Sequence, residues 1–341
     1  MEKSLDTKLA ALKKDPGSRV FILADAKDAD MAFGISAPGL DPDGRVRSLA
    51  DYRDQMREIV SQGLVDIVLM SASTSEIMTL QERIFDGSAV TPAVRANDTT
   101  DVHIIRGGCY PLAHSKPFAT ATLDHIQAGK SPCTDEERRR GAQLGLYSVT
   151  FNNDPERDLR VMEAYKAFRL EAELKHFSHF LEVFHPNVAA EIHGVAAEEI
   201  PHFVNDHIAR LLAGVTSAGR PRFLKIPYAG PGALEELCGY DSSLVVGVLG
   251  GSAGTTHDAF ALVYEAKRYG ARVALFGRKI KAAEHQLSFV QFLRLVADDQ
   301  MLPVEAVKAY HGALQGLGIA PRRSLEKDME LSSAFAGYGG G

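Results

Sequence analysis

Three ionisable residues stand alone in otherwise apolar, β-rich runs: Asp25 in FILAD, Glu182 in FLEVF and Lys225 in FLKIP. A charge placed in a packed strand must find a buried partner or face a cavity, because an unpaired ion against helices is costly. A lysine amine is nucleophilic once its proton is gone, and carboxylates beside it can move protons. The trio therefore points to covalent imine chemistry with acid and base assistance. A structural ion pair between Lys225 and one carboxylate is the plainer reading of the same pattern. Lys27 and His185 stand next to the ends of these runs and are secondary candidates, whereas Asp28 and Asp30 are expected in a solvated loop.

A second group lies in GVLGGSAGTTHDAF and ALFGRKI. Gly250, Gly251 and Ser252 let backbone N–H groups approach an anion, a helix starting near Thr255 adds a partial positive charge, and Arg278 after Gly277 can grip a phosphate with two N–H groups. A tight turn is the competing explanation of the paired glycines. Metal ligation finds less support. His176 and His179 precede a strand, His202 and His207 do not share a helix face, and Cys109, Cys133 and Cys238 are far apart. No metal and no cofactor is expected.

These residues need a frame that brings them together. Short β-rich runs at Val20–Asp25, Asp66–Ser71, Ala89–Arg95, Leu146–Phe151, Phe180–Phe184, Arg222–Pro227, Leu244–Leu249 and Arg272–Phe276 alternate with amphipathic stretches. Eight such units predict an α/β fold closed as a (β/α)8 TIM barrel, with loops and active groups at the C-terminal ends of the strands. An open doubly wound sheet is the alternative, but FILADAKDAD stands where its glycine-rich first turn would be. Alternation turns Phe223, Lys225 and Pro227 inward, Glu182 with Phe180 and Phe184, and Asp25 with Phe21 and Leu23.

The expected organisation is an N-terminal amphipathic helix over residues 1–17, with Leu5, Leu9 and Leu12 on one face as a lid, and a barrel over 18–320. A tail over 321–341 follows, its AFAGYGGG end expected to be mobile. Residues 96–143 form an excursion over the mouth or towards another subunit. VHIIRGG within it reads as a short strand, and a helix is capped by Thr134.

The whole chain has 341 residues, 45% of them hydrophobic and 24% charged, with a formal net charge of −6. This acidic balance, with no basic block, argues against nucleic acid as a partner. No apolar run approaches the roughly 20 residues of a membrane span. The start lacks the apolar core of an export signal and the cysteines suggest no disulfide framework, so a cytoplasmic location is expected. A homo-oligomer is compatible with the excursion.

Taken in order, FILAD, FLEVF, RFLKIPY, GVLGGSAG and ALFGRKI resemble the class I, Schiff-base aldolase superfamily of fructose-bisphosphate and tagatose-bisphosphate aldolases, over roughly residues 18–300. The resemblance implies that Lys225 forms the imine, that Asp25 is the strand-one acid and Glu182 the strand-five acid, and that Gly277 and Arg278 hold phosphate. Many members carry a lysine or tyrosine near the end of strand four or five, whereas strand four here reads GLYSVTFNND with Thr150 and Asn152. The substrate is thereby left open. The implied activity is reversible aldol cleavage of a phosphorylated ketose, a small-molecule sugar phosphate being the partner. The alternatives are a non-catalytic, regulatory sugar-phosphate-binding barrel and a metal-dependent aldolase or isomerase on the same fold.

Overall fold

The computed structural model describes residues 1–41, 44–251 and 254–332; Ser252 and the AFAGYGGG end lie outside the described residues. Helix α1 (Ser4–Lys14) leads into eight parallel strands: β1 (Ile22–Ala26), β2 (Ile67–Met70), β3 (Thr91–Arg95), β4 (Leu144–Thr150), β5 (Ser178–Phe184), β6 (Leu224–Lys225), β7 (Gly247–Leu249) and β8 (Val273–Phe276). Each pairs with the next in the chain, and β1 pairs with β8. Closure between β6 and β7 comes from the Ile226–Val248 bridge, with the Ile226 N–H donating to Gly247 O and the Leu249 N–H to Ile226 O, both at 2.9 Å. The expected (β/α)8 barrel is found, and all eight strands fall within the runs read from sequence, to a few residues at their ends.

Parallel neighbours require crossovers, and amphipathic helices supply most of them. These are α2 (Leu49–Gln62), α3 (Pro155–Leu174), α4 (Ile200–Ala213), α5 (Pro231–Tyr240) and α6 (Thr256–Arg268), while α7 (Gln286–Ala297) and α8 (Pro303–Gly316) follow β8 and pack against the barrel. Helix α2 starts at a capping box between Ser48 and Asp51 and buries Tyr52, Met56 and Ile59 against the barrel. Two apolar layers follow from the alternation of side chains along the strands. Ile22, Leu69, Leu146, Phe180 and Phe223 pack inside the ring, where the last two rings stack at 4.5 Å. Leu23, Val68, Leu181 and Leu224 meet the helices outside.

Helix α1 belongs to the inner layer. Its Leu5 and Leu12 pack with the interior side chains, and the Lys3 ammonium donates to the carbonyls of Phe85, Ser88 and Val90 just before β3. The helix thus covers the N-terminal end of the barrel and leaves the opposite end to function.

The excursion after β3 does not contain the strand expected over VHIIRGG. Asp98–Thr99 instead pairs antiparallel with Pro117–Phe118, Thr100–Val102 forms one 3-10 turn, and the Ile104 N–H donates to Ala32 O. The β-branched residues there serve as apolar cover for the rim, and local propensity yields to that packing. The helix at Asp135–Arg138 does form, with Thr134 and Glu137 in a capping box. At the other terminus residues 325–332 dock on α6: Asp328 accepts from the Thr256 N–H and from His311, and the Thr255 hydroxyl donates to Glu330 O.

Candidate active site

The C-terminal ends of the strands open on a cavity of about 680 Å³. Glu182 and Lys225 reach it from the interior faces of β5 and β6, following Phe180 and Phe223 on those faces. Both are buried, and the Lys225 ammonium lies 2.5 Å from Glu182 Oε1. Gly250, Gly251, Gly277 and Arg278 line the same cavity, as does His185, whose burial lowers its pKa to about 4 and leaves the ring neutral at neutral pH.

Asp25 does not join them. On β1 the interior face belongs to Ile22, Ala24 and Ala26, while Phe21 and Leu23 pack outward in the helix-facing core. Asp25 shares that outward side, where its carboxylate pairs with the Lys27 ammonium at 3.1 Å. Both side chains are fully buried, and Lys27 also donates to Gln286 at the start of α7. Burial drives the Asp25 pKa upward against the pull of Lys27. The expectation that Asp25 faces the mouth is therefore corrected, and Lys27 goes with it. The FILA run before Asp25 is apolar on both faces, so alternation alone could not choose the inward side.

The strand-one acid that does line the cavity is Asp28, buried rather than in a solvated loop as expected. It pairs with Arg95 at the end of β3. Arg95 also lies 3.6 Å from Glu182 and 3.7 Å from Asp98, and donates to the Ser148 hydroxyl at 3.1 Å. Ser148 donates in turn to Glu182 Oε2 at 2.6 Å. Burial alone would weaken the Arg95 cation, but Asp28, Glu182 and Asp98 together raise its pKa. Asp98 is itself pushed up to about 6, mainly by burial.

Arg95, Asp98 and Ser148 were missed in the sequence reading. Arg95 ends an apolar run as Lys225 and Asp25 do, and the same test would have found it. Ser148 carries no such signal, since hydroxyls are common in strands. Its backbone is held by Asn97, whose side-chain amide donates to Ser148 O and accepts from the Ser148 N–H where the β3 to β4 ladder has ended.

The glycines near the second group are set by close approach. A Cβ on Gly250 would fall 2.1 Å from the Phe276 ring, and one on Gly277 2.4 Å from Ala26 O. The Gly250 N–H is spent on Leu275 O, while Gly251 takes a φ of 59°. At the start of α6 the Thr255 N–H donates to Asp258 and the Thr256 N–H to Asp328. Those amides are engaged within the chain, so among the described residues Gly251 and Arg278 are the groups placed to meet an anion on the cavity side.

The excursion reaches over the mouth through Asp101, Val102, Ile104 and Pro111. It is pinned there by Asp101, which accepts from Thr150 on β4 and from Ser115, and by Asn187 after β5, which donates to Pro111 O and Ala113 O. Among the described residues no group of three or more His, Cys, Asp or Glu side chains is arranged to hold a metal, and no helix is long and apolar enough to cross a membrane.

No protein-family model matches the chain, and no curated protein matches it in sequence. Solved structures do match in fold. One is a Schiff-base-forming fructose-1,6-bisphosphate aldolase studied through its reaction intermediates, 17% identical, covering 85% of this chain and 99% of its own, with a TM-score of 0.60. Another is an archaeal fructose-1,6-bisphosphate aldolase whose catalytic lysine is bound to the carbinolamine intermediate, also 17% identical with a TM-score of 0.60 over 85% of this chain and 99% of that one. A third is Cgl0159 from Corynebacterium glutamicum, 14% identical, with a TM-score of 0.58 over 88% of this chain and 99% of its own. At these identities the likeness establishes the barrel fold.

Proposed function

We propose that the protein is a carbon–carbon lyase that cleaves a phosphorylated ketose reversibly through an imine on Lys225. The observation that carries this reading is a primary amine at the end of β6, at the wall of a ligand-sized cavity and 2.5 Å from a carboxylate able to take its proton. Glu182 removes a proton from the ammonium, and the neutral amine attacks the ketone carbon. Glu182 returns that proton to the carbonyl oxygen to give a carbinolamine, then carries one from the nitrogen to the departing hydroxyl, so that water leaves, an iminium forms and Glu182 is again a carboxylate. Glu182 then accepts the proton of the hydroxyl two carbons away, and the intervening carbon–carbon bond breaks with its electron pair flowing into the iminium. The resulting aldehyde leaves. Protonation of the enamine and addition of water release the ketone product and restore the amine.

Ser148 and Arg95 hold Glu182 in place from the side away from Lys225. Asp28 keeps Arg95 paired, and the Gly251 amide with Arg278 holds the substrate phosphate. Asp25 has no role in this scheme. A non-catalytic sugar-phosphate-binding barrel is favoured by a different observation: β4 presents Ser148 and Thr150 to the interior and no lysine or tyrosine, while Tyr147 points outward against Tyr165 and Phe168. Cleavage assays over a panel of ketose phosphates separate the two. Wild-type protein should release aldehyde from at least one, and Lys225→Arg from none, because arginine keeps the charge but cannot form an imine. Full activity in Lys225→Arg would refute the reading.

A further inference from the structure

The cavity is not electrostatically uniform. The ends of β7 and β8 bring Gly251 and Arg278 to one side, and the ends of β3 and β4 with the excursion form the facing wall. Arg95 is the cation of that facing wall among the described lining residues, and its charge is matched by Asp28, Asp98 and Glu182 around it. Asp101 adds another carboxylate to the wall and is held there by two hydroxyls, Ser115 at 2.7 Å and Thr150 at 2.8 Å. The rest of the rim on that side is apolar, with Ala32, Phe33, Val102 and Ile104, except for Asn187, whose amide is engaged with Ser115, Asn152, Pro111 and Ala113. A phosphate arriving there would be desolvated against carboxylates and hydrocarbon.

We infer that the site takes a ketose bearing a single phosphate, seated at Gly251 and Arg278, and that the part of the substrate reaching towards β3, β4 and the excursion is uncharged. This rests on the imine reading above for the word ketose, but the preference for one phosphate follows from the charge of the walls. Like charges brought together in a site of low dielectric discriminate strongly against the wrong ligand.

The test is titration calorimetry of the full chain with fructose 1-phosphate, fructose 6-phosphate and fructose 1,6-bisphosphate, with borohydride added to parallel samples. The better monophosphate should bind at least about tenfold more tightly than the bisphosphate. Asp101→Asn should narrow that ratio. So should Ile104→Lys, which places a cation at an exposed position of the far rim and does not disturb the core. A bisphosphate bound as tightly as the better monophosphate, or no binding of any of the three, would overturn the inference. If the bisphosphate binds best and is trapped by borohydride, the charge argument fails and the imine reading stands. If monophosphates are preferred but none is ever trapped, the imine reading fails and the single-phosphate preference stands.

Discussion

Asp98 lies beneath Arg95 at the root of the excursion, and its pKa of about 6 against an ordinary 3.8 makes it a measurable cost to the fold. An acid whose pKa is raised on folding binds its proton more tightly in the native state, so this contribution lowers stability as pH rises from about 4 to about 6 and stays unfavourable above. The shift corresponds to at most about 3 kcal/mol. Asp98→Asn should therefore raise the melting temperature at pH 7.5 and leave it unchanged at pH 4; an equal offset at both pH values would contradict this origin. Asp25 makes a different prediction. With Lys27 buried beside it, Asp25→Asn leaves an unpaired charge and should cost about 3 kcal/mol, while the folded protein still forms an imine at Lys225. Normal stability with loss of the imine would return Asp25 to the active site. Lys225, Glu182 and Asp25, isolated by the sequence rule, are all buried, but the rule passed over Arg95 and Asp28 and cannot say which of the two apolar layers each charge faces. Strand parity fixed Lys225 and Glu182, where large phenylalanines share their inward side, and failed at Asp25, where both faces look alike.

At the scale of elements, α1 and the excursion close opposite ends of the barrel for opposite purposes. Leu5 and Leu12 fill the inner layer beneath the strands, far from the mouth. Leu5→Ala should lower stability by about 2–5 kcal/mol with no change in ligand affinity at temperatures where the protein is folded. A selective loss of affinity would mean that α1 reaches the site. The amphipathic stripe of α1 was legible from leucine spacing, but not the end of the barrel it covers, since that depends on a contact with Ala89 and the carbonyls before β3. The excursion was legible as an interruption and as cover for the mouth. Its internal form was legible only at the helix capped by Thr134, because the rest is held by a two-residue strand pair, Asp101, Asn187 and single hydrogen bonds to distant loops, which leave no period in the sequence.

The whole molecule was the most legible scale. Eight β-rich runs at crossover spacing leave few ways to satisfy their backbone groups, and a closed parallel ring is the one that also explains charges at the C-terminal ends of several strands. That frame brings Glu182 and Lys225 together from β5 and β6, and sets Gly251, Gly277 and Arg278 across the same cavity from sequence positions up to about a hundred residues away. It also explains what a one-dimensional reading leaves out. The Arg95, Ser148 and Asp28 network joins β1, β3 and β4, and no local pattern records which strand ends face one another. The central claim, a covalent role for Lys225, is tested most directly by reducing the protein with borohydride in the presence of ketose phosphates and mapping the added mass by peptide analysis. The mass of the reduced sugar phosphate should appear on the peptide containing Lys225 and be absent from Lys225→Arg; an adduct in its place on Lys27 or on Lys279, the buried lysine next to Arg278, or one that persists in Lys225→Arg, would contradict that role.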